Sequence, residues 1–484
     1  MATQRATTKQ VPLTMKPLTR TTSVFLLALA LHVLLVLQTS LLVQAQLRGQ
    51  DGSLSLLLAT QATNSNSSSA SFWQFAAAML AVDHFNTRNG TIVKQVETRC
   101  EEIQFGSVQV VDASRSPTGG VLQSVLGSPS SPLRVPNAIV GPGTEEEEEE
   151  EETHVLAKGL QIPLVAPIGS HLLQQSPFVT SMSADPNSQM EFVVQYLQHT
   201  QRNNYIVILY ANKESCIQKA NRLKLLLMQQ QQQGQGQDQF THIQTFAYYY
   251  NPQQQSNPQS VLAQLQIPTV LEKVQNTGYP TIVLLSNDIS NDANEIAVAA
   301  TRLGLDPKRH FWIVTAEDVV TTRSFAFSSF WNGAAYLLPY DGSKDSSFWE
   351  LQYQSSSQDG AFLARLNALF PNPNNNHNKY SNQQPFVPTT APLQNLITTN
   401  SGFWYDAVMT IGLGACHALR SNHNITGTQH QDGIRAVEFV GASGTVQFEK
   451  GARVANTVSF LVANLVSSTT IDHNDEDDDN EPQR

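Results

Sequence analysis

Two stretches near the carboxyl end decide the fold. The first is Ser401-Gly-Phe-Trp-Tyr-Asp-Ala-Val-Met-Thr-Ile-Gly-Leu-Gly-Ala-Cys-His-Ala-Leu419, and the second is Glu438-Phe-Val-Gly-Ala-Ser-Gly-Thr-Val-Gln-Phe-Glu-Lys-Gly-Ala-Arg453. The first is apolar and small-residue-rich after Tyr405-Asp-Ala, which predicts a helix. The second predicts a glycine-punctuated turn, a short strand and a further turn ending at Arg453. Asp406 reads as a first-turn acid that stabilises the helix through its dipole. Trp404 and Tyr405 read as packing residues, and Cys416, on the apolar helix, as a buried thiol outside any disulfide.

Upstream, strand and helix alternate. Ser53–Thr60 is an apolar run of strand length, and Phe75, Met79 and Val82 recur at helical spacing behind a Ser71-Phe-Trp-Gln74 capping box. Further strands are predicted at 107–113, 137–141, 162–167, 205–210, 240–249, 281–286 and 310–315. This order argues a mainly parallel, doubly wound sheet. Roughly 420 residues beyond the amino-terminal segment suit two such units. Three tracts do not suit a core: Glu145–Glu152, read as a solvated loop expansion; the Gln/Gly tract 229–239, read as a disordered insertion interrupting helix 213–228; and the Asn-rich run 372–382.

The ends and the composition bound the function class. Arg5, Lys9, Lys16 and Arg20 precede an apolar run from Val24 to Val43, and Val43-Gln-Ala45 has the small-residue pattern of a signal-peptidase site. The run also nears the length of a membrane span. Residues 1–45 therefore read as a cleaved secretory signal or an uncleaved signal-anchor, with organelle import as a third reading. Asn66, Asn89 and Asn424 head Asn-x-Ser/Thr acceptors, which suit a lumenal or extracellular surface. The net charge of −11 belongs mostly to Glu145–Glu152 and to the tail Asp472–Glu481. Without those fifteen acids, twenty-five face twenty-nine Lys and Arg, so the body is near neutral and nucleic-acid binding is not expected. Cys100, Cys216 and Cys416 are too few for a metal cluster, and three cannot all pair within one chain. The sequence holds no Gly-x-Ser-x-Gly, His-Glu-x-x-His, Walker A or kinase signature. No catalytic residue, metal ligand or cofactor is expected.

The 401–419 and 438–453 stretches, in that order, resemble the C-terminal part of the receptor ligand-binding region. That region has the type I periplasmic-binding-protein fold and stands outside class C G-protein-coupled receptors, receptor guanylate cyclases and ionotropic glutamate receptors. Ala81-Val-Asp-His-Phe-Asn86, Ile162-Pro163, Ser183-Ala-Asp-Pro-Asn-Ser-Gln189 and Gly333-Ala-Ala-Tyr-Leu-Leu-Pro339 extend the likeness over residues 53–466. The resemblance implies an α/β fold of two doubly wound lobes joined by a three-crossing hinge. Lobe 1 would comprise 46–182 plus 336–430, and lobe 2 would comprise 183–335 plus 431–468, before an acidic tail at 469–484. Helix 401–419 and the turn 441–444 would then lie on opposite sides of the hinge. The resemblance further implies a secreted or extracellular domain that closes on a small ligand, an amino acid or an amine, and performs no chemistry. It also implies homo- or heterodimerisation through lobe 1. Membrane contact would come only through an uncleaved amino-terminal anchor or a further carboxyl-terminal region. The runner-up is a soluble solute-binding protein serving a transporter.

Ligands of doubly wound folds bind beyond the carboxyl ends of parallel strands, at a switch point. Those ends are Gly141–Thr144, Gly169–His171, Tyr210–Asn212 and Asn287–Asp288. The resemblance implies that Gly143, Thr144, Gly169 and Ser170 offer hydroxyl and backbone N–H groups to a ligand carboxylate, with Tyr210 and Asn287 facing them. Two departures stand out. Glutamates replace the first turns of the helix after Gly143. No acid precedes Tyr405 where amino-acid-binding members hold the ligand ammonium, which leaves Asn400 as the candidate acceptor.

Overall fold

Alternate residues of the central strands enter opposite cores, which is why two layers of helix cover each sheet. In the computed structural model of the chain, Leu56 and Leu58 of β1 (Ser53–Thr60) face one cluster, while Leu57 and Ala59 face another. The described residues are 53–60, 68–99, 101–112, 136–141, 147–167, 176–184, 186–233, 241–249, 266–286, 289–315, 329–340, 342, 400–421, 425–454 and 457–464.

The first sheet orders its strands β11-β12-β13-β5-β4-β3-β1-β2. Its members are β1, β2 (Gln104–Asp112), β3 (Ala138–Val140), β4 (Leu164–Ala166), β5 (Val179–Ala184), β11 (Glu438–Gly441), β12 (Gly444–Glu449) and β13 (Ala452–Arg453). From β2 to β13 the pairings are parallel, and β11 and β12 add an antiparallel margin. One face packs on α1 (Ser68–Thr87), on the short α2 (Gln95–Arg99) and on α8 (Ser401–Ser421). The other packs on α3 (Glu147–Leu160) through Ala157.

The second sheet is ordered β14-β10-β9-β8-β6-β7. It comprises β6 (Tyr205–Ala211), β7 (His242–Tyr248), β8 (Thr281–Leu285), β9 (Phe311–Thr315), β10 (Ala335–Pro339) and β14 (Phe460–Asn464), and only β14 is antiparallel. Val207, Leu209, Ile282 and Leu284 join Trp312 on one face. Ile206, Ile208, Val283 and Leu285 meet α4 (Pro186–His199) and α5 (Glu214–Gln233) on the other. α6 (Ile267–Thr277) and α7 (Ile289–Arg302) complete the first of these layers.

The chain changes sheet three times: between β5 and α4, between β10 and α8, and between β13 and β14. Several boundaries differ from the sequence reading. β10 belongs to the second sheet, because Tyr336 and Leu337 bury themselves in its two cores. Residues 438–453 belong to the first sheet, where Phe439 and Val446 join the core of α8 and α1. Helix α8 and the turn 441–444 therefore share one lobe. α1 starts at Ser68, so Ser71 lies inside it and is not a capping position. Glu147–Glu152 are helical in α3, not a loop, consistent with acids favouring a helix amino terminus. Gln229–Gln233 continue α5, consistent with the high helix propensity of glutamine. Residues 1–52, the Asn-rich run 372–382 and the tail 469–484 lie outside the described residues.

Two glycines set the closest helix contact. α8 crosses α9 (Gly427–Arg435) where a Cβ on Gly414 would lie 2.7 Å from the backbone N of Ile434, and one on Gly433 would collide with the carbonyl of Gly414. Backbone cannot yield as a flexible side chain can. Gly414→Ala is expected to cost about 2 kcal/mol or more, read as a fall in the urea midpoint at unchanged slope.

Candidate functional site

In the first sheet the chain runs from β1 outward to β2, then returns to build β3, β4 and β5 on the other side of β1. The switch point is therefore between the exits of β1 and β3. In the second sheet β6, β7 and β8 repeat the plan, and the switch point lies between the exits of β6 and β8. Tyr210 pairs with Leu285 in register, which sets Ala211 and Ser286 side by side at that exit.

Of the sequence-predicted ligand residues, Gly143, Thr144, Gly169, Ser170 and Asn287 lie outside the described residues. Tyr210 is half-buried near the end of β6 and packs against both cores of the second sheet. Asn400 is buried, immediately precedes α8 and has a left-handed φ of 54°. Its carbonyl accepts from the backbone N–H of Phe403 and of Trp404. Its Nδ2 has no acceptor among the described residues, and neither has the buried Nε1 of Trp404.

Trp404 sits at the first switch point. Gly141 follows β3 with φ 97°, and a Cβ there would collide with the Ala59 carbonyl of β1 and lie 3.2 Å from Trp404 Cη2. Only glycine permits that approach. Beyond the second sheet, the Asp292 carboxylate in the first turn of α7 accepts from Tyr248 Oη at 2.7 Å and from Ser286 Oγ at 2.9 Å. Burial and the nearby Asp292 push the Tyr248 hydroxyl up from its ordinary value. Sequence reading missed this cluster because Tyr248, Ser286 and Asp292 come from three separate segments. The one signal available was that β7 and β8 both end there.

The two stretches that decide the fold are joined by charge. Asp406 is fully buried, in the second turn of α8 and not the first. Its Oδ1 accepts from Ala442 N at 2.7 Å, and its Oδ2 accepts from Ser443 N at 2.8 Å and from the Ser443 hydroxyl. A Cβ on Gly441 would collide with this carboxylate. Arg453, also buried, donates to Ser443 Oγ at 2.7 Å, to the Ser443 carbonyl at 2.9 Å and to the Thr445 carbonyl. Burial pushes the Asp406 carboxyl up, opposed by the Arg453 charge and by the donors of Ser443 and Ala442.

This cluster touches all three sheet crossings. Arg453 Nη1 donates to Met182 O at 3.5 Å, in the strand before the first crossing, and Nη2 donates to Thr457 O at 3.3 Å within the third. Gly342, just past β10 on the second, has φ 83° and lies so close to the Ala442 carbonyl that a Cβ would collide with it. Tyr340 N donates to Ser459 O at 2.8 Å, tying the second crossing to the third.

The cysteines correct one expectation. Cys416 is disulfide-bonded, and Cys216 is a buried thiol in no disulfide. The chain's third cysteine, Cys100, lies outside the described residues. Asn89 follows α1 at its carboxyl end, and its Oδ1 accepts from Thr91 N at 3.0 Å and from the Thr91 hydroxyl. Asn66 and Asn424 lie outside the described residues. Among the described residues no helix is long and apolar enough to cross a membrane, and no group of His, Cys, Asp and Glu could hold a metal ion. A cavity of about 520 Å³ is lined by His417, Arg420, Glu438 and Gln95. It lies at the carboxyl end of α8, about 24 Å along the helix axis from Ser401, so it is not at the strand exits.

The sequence pattern described as the receptor family ligand binding region matches residues 74–462. The chain belongs to that family. Among curated proteins no sequence matches it significantly. Two solved structures resemble this receptor-family chain. An ABC transporter substrate-binding protein from Desulfitobacterium hafniense, in complex with Leu, is 13% identical with a TM-score of 0.53, covering 85% of this chain and 98% of its own. The leucine-binding protein LivK from Thermotoga maritima is 14% identical with a TM-score of 0.49, covering 85% and 99%. The first shares the fold, that of type I periplasmic binding proteins.

Two outcomes are expected. Asp406→Ala leaves Arg453 buried and uncompensated and should cost about 3–5 kcal/mol, whereas Ser443→Ala should cost about 1–3 kcal/mol; urea unfolding of both variants checks the order. His84, buried on α1, bonds Tyr405 Oη through Nδ1 at 2.9 Å, and burial lowers its pKa to about 4 from 6.5. The folded protein then binds fewer protons than the unfolded chain. This stability is fully present above pH 6.5 and falls by roughly 3 kcal/mol as pH drops through 4. A His84→Gln variant should show a flatter melting-temperature profile between those limits.

Proposed function

We propose that this receptor-family chain is an extracellular ligand-binding domain that takes a small ligand, an amino acid or an amine, between its two lobes and closes on it without chemical change. The observation that carries the reading is the pair of doubly wound sheets, each with its own switch point, joined by three crossings gathered around one buried cluster. Such crossings permit hinge closure, and a ligand that binds the closed form better shifts the population toward it.

The secreted location is supported by the basic and apolar residues 1–45 and by the Cys416 disulfide, since disulfides persist in oxidising compartments. Glycosylation at Asn89 fits that location. The acceptor stands at the carboxyl end of α1, the end remote from the β1 exit that precedes the helix, so a glycan there leaves the strand exits open. Dimerisation through lobe 1 and a membrane tether follow from the family reading alone.

A second reading is delivery of solute to a transporter. The Desulfitobacterium hafniense protein, a transporter component holding leucine, favours it. The two readings share the site and differ in the partner.

The test is a thermal-shift panel of amino acids, amines and nucleosides on the purified chain. A ligand that binds only the folded state raises the melting temperature, by about 2.7 kcal/mol of stabilisation at one hundred times its Kd. One chemical class is expected to stand out. Turnover of a panel compound with no reversible binding would overturn the proposal.

A further inference from the structure

We infer that Arg453 is a positioning residue for lobe closure: seated in the first-sheet lobe, its guanidinium restrains the first and third crossings and so limits the conformations open to the hinge. The inference rests on the lobe-closing reading and names the residue that tunes it. No contact with a ligand is assigned to Arg453, which is buried.

The guanidinium makes two kinds of bond. Toward the turn 441–444 and β12 they are short. Nη2 donates to Thr445 O at 2.6 Å and to Ser443 O at 2.9 Å, Nη1 donates to Ser443 Oγ at 2.7 Å, and Nε donates to Thr445 O at 3.0 Å. Toward the crossings they are long. Nη1 reaches Met182 O at 3.5 Å and Nη2 reaches Thr457 O at 3.3 Å. An N–H···O bond weakens beyond about 3.2 Å. The group is therefore fixed on one side and at the limit of its reach on the other. A planar fork held in this way cannot follow a crossing that moves. A shift of about half an ångström in either crossing makes or breaks a long bond and leaves the short ones in place.

The backbone is irregular where these long bonds land. Ala452 of β13 pairs with Ser181 of β5, but Arg453 pairs with Ala184, so Met182 and Ser183 stand out of the ladder just before the first crossing. Such a bulge re-aims a strand and leaves its extra residues unpaired. The Met182 carbonyl turns to Arg453 there, and both residues are buried, so water does not readily replace the bond. On the third crossing, Thr457 N at 3.0 Å and Thr457 Oγ1 at 2.7 Å both donate to Val454 O. They fold the chain back and bring the Thr457 carbonyl to Nη2. The second crossing passes at Gly342 against Ala442, beside the Ser443 that Arg453 holds. A hinge confined in this way has less conformational freedom to lose when the lobes close, and that favours binding.

The test is energy transfer between labels at the exposed residues Glu102 and Lys308 of the full chain, first with no ligand added. Arg453→Lys keeps a positive charge beside Ser443 but has no fork to reach both carbonyls. The distance distribution of the ligand-free variant is expected to broaden. The panel compound with the largest thermal shift should bind it about fivefold more weakly. Thr457→Val removes the hydroxyl that folds the third crossing back and leaves Asp406 and Arg453 untouched; a smaller broadening is expected. Gly414→Ala weakens the α8–α9 contact away from the crossings, so it should lower the urea midpoint and keep the wild-type width. Far-UV circular dichroism identifies a variant that fails to fold, and if Arg453→Lys is one, Thr457→Val carries the test. A wild-type width in the folded variant, or equal broadening in Gly414→Ala, would overturn the inference and leave lobe closure intact. A wild-type distribution that does not respond to a bound panel compound would instead remove the lobe-closing reading, and this inference with it.

Discussion

The contact between Asp406 and the Gly441-Ala-Ser-Gly444 turn is the constraint on which the rest of this molecule depends. A carboxylate without water must be surrounded by donors. Here two backbone N–H groups and one hydroxyl supply them, and the guanidinium of Arg453 closes the circuit through Ser443. Burying such a pair adds little net stability relative to a packed apolar core. Its effect is geometric. The cluster fixes α8 to the β11–β12 margin of the first sheet, and the same Arg453 reaches backbone on the first and third crossings. The second crossing passes against the turn at Gly342, where a side chain has no room. One lobe thus holds the fixed end of all three connections.

That arrangement separates two tasks along one helix. The second turn of α8 anchors the crossings through Asp406, while Trp404, two residues earlier, stands with its ring edge against Gly141 at the first switch point. A ligand engaging the start of α8 would act on the element that also positions the hinge. Gly412 and Gly414 bring α8 close to α1 and α9, so the helix sits on rigid support.

Much of the architecture was legible because periodicity and composition report burial directly. Ile206, Val207, Ile208 and Leu209 announce a strand covered on both faces, and the structure assigns them alternately to two cores. Sheet membership was less legible. Nothing in Ala335–Pro339 says which sheet it joins, since Tyr336 and Leu337 would suit either; only the pairing with β9 and β14 decides it. Low-complexity composition misled in two places. Glu147–Glu152 and Gln229–Gln233 lack apolar residues but have good helix propensity; the first opens a helix whose apolar face follows it, and the second ends a helix whose apolar face precedes it. At the site, the sequence located Asn400 but not its chemistry. Trp404, read as packing, is buried in the core, and its Nε1 has no acceptor among the described residues. Asp406 was legible as a structural acid, though its partners lie thirty-six and thirty-seven positions away.

The central claim is that the two lobes move toward one another when a ligand fills the space beyond the strand exits. Fluorescence energy transfer between labels at the exposed residues Glu102, before β2, and Lys308, before β9, measures it most directly. With the amino acid that gives the largest thermal shift in the panel, the account predicts a shorter mean distance and a narrower distribution, reversed on removing the compound. A distribution unchanged at saturating concentration, with the thermal shift still present, would contradict closure.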